Sequence, residues 1–168
     1  TEIKTFINSI NYLSEHNIKT IRMGKYVKEK LSISNKNFIE YSDSRYQTDF
    51  NDIYLLSNCK FLISSDCGIT IVPEVFRVPI IYTNWTLLWR IPKWARNSII
   101  IFKKLYSNNL KRFLNFEEML LTDYSNFEII KSKNLQWIDN SSEEIMEAVK
   151  EMNMRLSNQW ISNDKDLV

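Results

Sequence analysis

Glycine is almost absent: Gly24 and Gly68 are the only two in 168 residues. A phosphate loop built from several glycines in one turn therefore has no place here. A single histidine, His16, leaves little room for histidine-based catalysis or metal binding, and a cysteine–histidine nucleophile is poorly supplied. Cys59 and Cys67 are too few for a disulfide framework and match no metal-ligand spacing. They fit a reducing compartment. No apolar run approaches the roughly 20 residues that a membrane-crossing helix needs. A formal charge of +2 is too small to argue for nucleic acid by itself. Internal repeats and low-complexity segments are lacking too.

What is present is an ordinary globular balance, 44% hydrophobic and 25% charged. Length and composition predict one domain with a real core. The chain opens on "TEIKTFINSINYL", already inside a helix pattern and without a leader pattern. We therefore expect a piece of a longer protein.

Periodicity predicts a helix over residues 2–16, carried by Ile3, Phe6, Ile7, Ile10 and Leu13. "IKTIRMG" reads as a strand ending at Gly24, and residues 37–42 as a second. Thr48 or Asp49 caps a helix over 49–58. "KFLIS" (60–64) is a buried strand, residues 69–77 are helical, and Pro79 opens the strand "PIIYT". "SIIIF" (98–102) is a further strand, and Pro92 argues against one long helix before it. Asn115 with Glu118, and Ser141 with Glu144, read as capping boxes for helices starting near 116 and over 142–157. Residues 122–134 read as a loop or small insertion, and 135–139 as the last strand. Alternating helix and strand favour an α/β fold, a parallel sheet with helices on both faces. Such sheets bind ligands beyond the carboxyl ends of their strands.

The stretch "KFLISSDCGITIVPEVFRVPIIYTNW" holds one such corner. Gly68 permits positive φ or close backbone approach. Ser64, Ser65 and Thr70 offer hydroxyls, and a helix start favours an anion such as phosphate. The plain alternative is a tight turn with a helix cap. Glu74, six positions on, has a carboxylate able to accept two ribose hydroxyls, or it is a solvated helix residue. Arg22 after a strand suits a diphosphate, with Lys25 assisting, or it forms a salt bridge. Residues 85–113 hold Arg90, Lys93, Arg96, Lys103, Lys104, Lys111 and Arg112 with no acid, and Trp85, Trp89 and Trp94 interleave. That run faces phosphates, acidic glycans or a membrane surface, or is a solvated face. Asp49 and Asp52 fit first-turn acids of a helix, whereas Asp43 is the candidate base.

The blocks "IRMG" and "DFNDIYLLSNCKFLISSDCGI", with "KKLYSNNLKRFLNFEEML" and "WIDNSSEEIMEAVKEMNMRL" later, resemble a bacterial glycosyltransferase family encoded in surface-polysaccharide clusters. "DCGITIVPEVFRVPI" is similar to the second, donor-binding domain of GT-B-type glycosyltransferases and to related sugar-nucleotide epimerases. "TIRMGKY" looks like the strand-then-arginine block of fucosyltransferase-like enzymes, without their usual second arginine and following acid. The resemblance implies a Rossmann-like domain, the C-terminal half of a GT-B fold, whose N-terminal acceptor domain lies outside this chain. It implies that Arg22 and Lys25, with Ser64, Ser65, Gly68 and Thr70, meet the donor diphosphate, and that Glu74 holds the ribose. Asn84 and Trp85 would border the base or sugar, and Lys103 and Lys104 would meet phosphate or acceptor.

The expected activity is transfer of a sugar from a nucleoside diphosphate sugar to a glycan or lipid-linked acceptor. No metal and no separate cofactor is expected, nor a nucleic-acid partner. The expected location is the cytoplasm, peripheral at the inner face of the membrane. The alternatives are a non-catalytic nucleotide- or glycan-binding module and an epimerase-like enzyme.

Overall fold

The apolar spacing at the start of the chain forms a 3-10 turn, Ile3–Phe6, running into helix α1, Ile7–Glu15. The structure, a computed structural model, describes residues 2–161 except 32, 43, 66, 89, 93, 96 and 122–126. Helix α1 buries Ser9, Ile10 and Leu13. It stops where Asn17 turns left-handed at φ 57°. The Asn17 N–H donates to the Ser14 carbonyl at 3.0 Å and the Ile18 N–H to the Leu13 carbonyl at 2.9 Å, which satisfies the last helical acceptors. Strand β1, Thr20–Arg22, pairs in parallel with β2, Phe38–Glu40. Helix α2, Asp49–Asn58, is capped by Thr48, whose hydroxyl accepts the Asn51 N–H at 3.1 Å.

The chain divides into two compact units. One is Glu2–Asp52 together with the segment from Ser142 onward, and the other is Ile53–Ser141. In the first, the last helix returns to pack on α1. This helix, Ser142–Leu156 (α6 in chain order), buries Ile145, Ala148, Val149, Met152 and Asn153 at helical spacing. Ile145, Val149 and Met152 are sealed from solvent. Each contributes about 1.5–3 kcal/mol by burial.

In the second unit, β3 (Leu62–Ser64), β4 (Ile80–Trp85) and β5 (Ile99–Phe102) form a parallel sheet in that order. All six residues of β4 are buried, as expected for the central strand of a sheet covered on both faces. Between β3 and β4 the chain makes a 3-10 turn, Gly68–Thr70, and helix α3, Ile71–Val75. Ile80, Tyr82 and Trp85 form a core with Leu62, Ala95, Ile100 and Phe102 against them.

A third sheet departs from the expected single parallel sheet. Strand β6, Lys104–Ser107, runs antiparallel to both β7, Arg112–Phe113, and β8, Leu135–Ile138. Helix α4, Phe116–Leu120, starts at the expected Asn115–Glu118 capping box. Glu118 also takes two bonds from Arg112, at 2.8 and 2.6 Å, and its carboxyl is pulled down to about 2 by that guanidinium and by the Asn115 N–H. Part of the segment expected to be a loop is helical: α5 is Phe127–Ser132. Leu105, Met119 and Ile130 make the core there. The architecture is mixed α/β with small sheets, two parallel and one antiparallel.

The two sheets of the second unit are tied by an exchange between two buried asparagines. The Asn84 N–H donates to the Asn140 Oδ1 at 2.6 Å, and the Asn140 N–H donates to the Asn84 Oδ1 at 2.7 Å. The Asn140 Nδ2 then donates to the Phe102 carbonyl at 2.8 Å. We expect Asn140→Ala to lower unfolding stability by about 2–4 kcal/mol, because it strips the partner from a buried N–H and a part-buried carbonyl. Urea unfolding measures this, and an unchanged midpoint would mean that the exchange does not hold the sheets.

Candidate functional site

In the second unit the carboxyl ends of β3, β4 and β5 carry most of the residues singled out from the sequence. Strand β3 ends at Ser64, which is buried. Its hydroxyl donates to the Ser65 carbonyl at 2.9 Å and lies 3.1 Å from the Cys67 Sγ. Thr70 is buried as well, and its hydroxyl and N–H both donate to the Cys67 carbonyl, at 2.9 and 3.2 Å. The Thr83 hydroxyl on β4 reaches the Ser64 carbonyl at 3.4 Å. Short hydroxyl side chains thus close this corner on itself, a role that Ser and Thr fill well in turns.

Gly68 stands at the head of the 3-10 turn and is exposed. The reason expected for it is partly overturned. Its φ is not left-handed; Gly24, at φ 133°, is the glycine that holds such a backbone. A Cβ built on Gly68 meets nothing within 4 Å. Neither backbone angle nor packing requires a glycine at this position.

Helix α3 carries Glu74 and ends in a left-handed residue, Arg77, at φ 60°. The Arg77 and Val78 N–H groups donate to the Glu74 and Pro73 carbonyls, at 3.2 and 2.9 Å. The Glu74 carboxylate is held at both oxygens: the Tyr82 hydroxyl donates to Oε1 at 2.7 Å and the Trp94 indole N–H to Oε2 at 2.9 Å. On helical rise, Glu74 lies on the order of 10 Å along from Gly68.

At the end of β4, Asn84 is left-handed at φ 56° and buried in the exchange with Asn140. Trp85 is buried, donates its indole N–H to the Leu87 carbonyl at 2.8 Å and packs edge-on to Tyr82. Both expected base- or sugar-bordering residues are therefore engaged within the protein. After β5, the Lys103 ammonium pairs with Asp139 at 2.6 Å. That bond holds the Asp139 carboxyl below the usual carboxylate range, against a smaller upward push from burial. Lys104 is exposed, its ammonium 5.9 Å from the Phe113 ring centre.

Arg22 and Lys25 belong to the other unit. Arg22, last in β1, sits in register with Glu40 on β2. Its Nη1 donates to Glu40 Oε2 at 2.9 Å and to the Glu29 carbonyl at 2.7 Å, with only 13% and 19% of the two side chains exposed. Glu40 also takes the Ser42 hydroxyl at 2.7 Å and the Leu31 N–H at 3.3 Å. Lys25 is exposed. The candidate base Asp43, with Asp66, Trp89, Lys93 and Arg96, lies outside the described residues.

The structure thus brings Ser64, Ser65, Gly68 and Thr70 into one turn, with Glu74 at the far end of the following helix. Sequence reasoning missed the side chains that set this corner: Tyr82 and Trp94 on Glu74, Asp139 on Lys103, and Asn140 on Asn84. Asp139 and Asn140 had a signal, since both follow the strand "LQWI" directly, at a carboxyl end. Among the described residues no group of three or more His, Cys, Asp or Glu could hold a metal ion. No described helix is long and apolar enough to cross a membrane. No family model, curated protein or solved structure matches the chain.

The open space above Gly68 yields a prediction. Gly68→Ala leaves the fold intact and raises stability by about 0.4–1 kcal/mol, because alanine narrows only the unfolded ensemble. Paired denaturant curves measure the difference, and a loss of more than about 1 kcal/mol would show that the fold itself needs this glycine.

Proposed function

We propose that the chain binds a nucleoside diphosphate sugar and forms the donor-binding, Rossmann-like half of a GT-B-type glycosyltransferase that builds surface polysaccharide. The observation that carries this reading is Gly68. It stands at the carboxyl end of a parallel strand, heads a helical segment, and is required by neither backbone angle nor packing. Space kept open over the backbone at such a corner is what a diphosphate needs.

Around that space Ser65 and the Gly68 backbone meet the diphosphate, Ser64 and Thr70 keep the turn closed, and Glu74 receives the ribose. Lys103, pinned by Asp139 at the end of β5, supplies positive charge toward the departing diphosphate. In the transfer, an acceptor hydroxyl oxygen bonds to the anomeric carbon as the bond from that carbon to the diphosphate breaks. The hydroxyl proton passes to a general base. The acceptor, a glycan or lipid-linked sugar, belongs to a further domain, and the work is done in the cytoplasm at the inner face of the membrane.

One observation favours a second reading, a binding module without transfer. The Ser64 and Thr70 hydroxyls and both Glu74 oxygens are already bonded within the protein. Release of free nucleoside diphosphate from a sugar donor by the full-length gene product separates the two.

Calorimetric titration with uridine, guanosine, cytidine and adenosine diphosphates tests the binding itself. At least one of the four binds, and Gly68→Val weakens it by at least about tenfold, close to 1.4 kcal/mol, with cooperative unfolding preserved. Absence of binding to all four, or equal affinity in Gly68→Val, would overturn the reading.

A further inference from the structure

The Glu74 carboxylate is bound by two donors of opposite character. The Tyr82 hydroxyl belongs to a side chain that is 1% exposed, on the central strand and edge-on to Trp85. The Trp94 indole is 65% exposed, and its bond to Oε2 lies in water. One end of the carboxylate is therefore fixed from inside, while the other is held by a group that water can replace at little cost. The backbone beside Trp94 is pinned: Pro92 is buried, its carbonyl takes the Ala95 N–H at 3.0 Å, and Ala95 packs against the core. A side-chain rotation of Trp94 alone suffices to free Oε2, and rotations of exposed side chains are fast.

From this we infer that Trp94 is the exchangeable occupant of Glu74, its N–H standing where a hydroxyl of a bound vicinal diol comes to lie. The inference rests on the reading of Glu74 as the ribose acceptor in the proposed function. Tyr82 is the positioning residue, which presents Oε1 and Oε2 together so that two neighbouring hydroxyls of one ribose are received as a pair. Each binding event then trades the indole N–H for a ligand hydroxyl, and the released N–H returns to water. Affinity in the unaltered protein is reduced by the strength of the bond given up. A sugar lacking the diol leaves the indole bond in place, so it neither gives up that bond nor gains the carboxylate.

The test uses Trp94→Phe, which keeps an aromatic ring and removes the N–H. Uridine, guanosine, cytidine and adenosine diphosphates and their 2′,3′-dideoxy counterparts are titrated into both proteins, with melting curves as the folding control. The ribonucleotide that binds the unaltered chain binds Trp94→Phe about two- to tenfold more tightly, the range expected for one solvent-accessible bond to a carboxylate. The dideoxy counterpart, which makes no use of the vacated oxygen, shows no such gain. Tyr82→Phe, if folded, weakens the ribonucleotide and narrows its advantage over the dideoxy form. Equal or weaker ribonucleotide binding by Trp94→Phe, or an equal gain for both ligand series, would overturn the exchange while leaving donor binding in place. Failure of the unaltered chain to bind any of the ribonucleotides would overturn the functional reading, and this inference with it.

Discussion

Two asparagines that trade backbone and side-chain bonds organise the Ile53–Ser141 unit. Asn84 is next to last in the buried central strand and Asn140 follows the last strand of the antiparallel sheet, 56 positions away. Each satisfies the other's N–H, and Asn140 takes the end carbonyl of β5 as well. Polar groups buried at strand ends are costly unless paired, and this pairing closes three strand ends at once. At the same place Asn84 is left-handed, and the pairing of β4 with β5 shifts register between Tyr82 and Trp85. Lys103 and Asp139, the neighbours of Phe102 and Asn140, are brought together by the same closure.

Asparagine does elsewhere what glycine does in most chains. Five of the seven non-glycine residues with positive φ among the described residues are asparagines: Asn17, Asn84, Asn97, Asn134 and Asn158. Its short polar side chain tolerates the left-handed region better than other side chains do. Helix α6 ends on Asn158 with the same paired carbonyl bonds that end α1 on Asn17. In a chain that meets its left-handed positions this way, a glycine in ordinary backbone at Gly68 calls for a reason other than conformation. Open space for a ligand is the reason we propose.

The periodic elements were legible in the sequence. Helix α6 has a capping signal and an uninterrupted apolar face, and β3 and β4 are compact apolar runs punctuated by small polar residues and Pro79. Strands β6 and β7 were not, because Leu105, Tyr106 and Phe113 are embedded in a run of lysines and arginine that reads as a charged face. Helix α5 is short and has no clear apolar period, so residues 122–134 read as a loop. The corner was located by its residue types, but the reason given for Gly68 was half wrong. The neighbours of Glu74 were invisible, because Tyr82 and Trp94 lie eight and 20 positions away and reach it only through the fold. Pairings of that kind carry no local pattern.

The central claim is that the open backbone at Gly68 receives a diphosphate. Amide hydrogen exchange, read by mass spectrometry with and without a saturating nucleoside diphosphate, addresses it most directly. The account predicts slowed exchange in peptides covering residues 65–75, with little change in helix α6. Unchanged exchange at that corner in a chain shown to bind the nucleotide, with protection elsewhere, would contradict it.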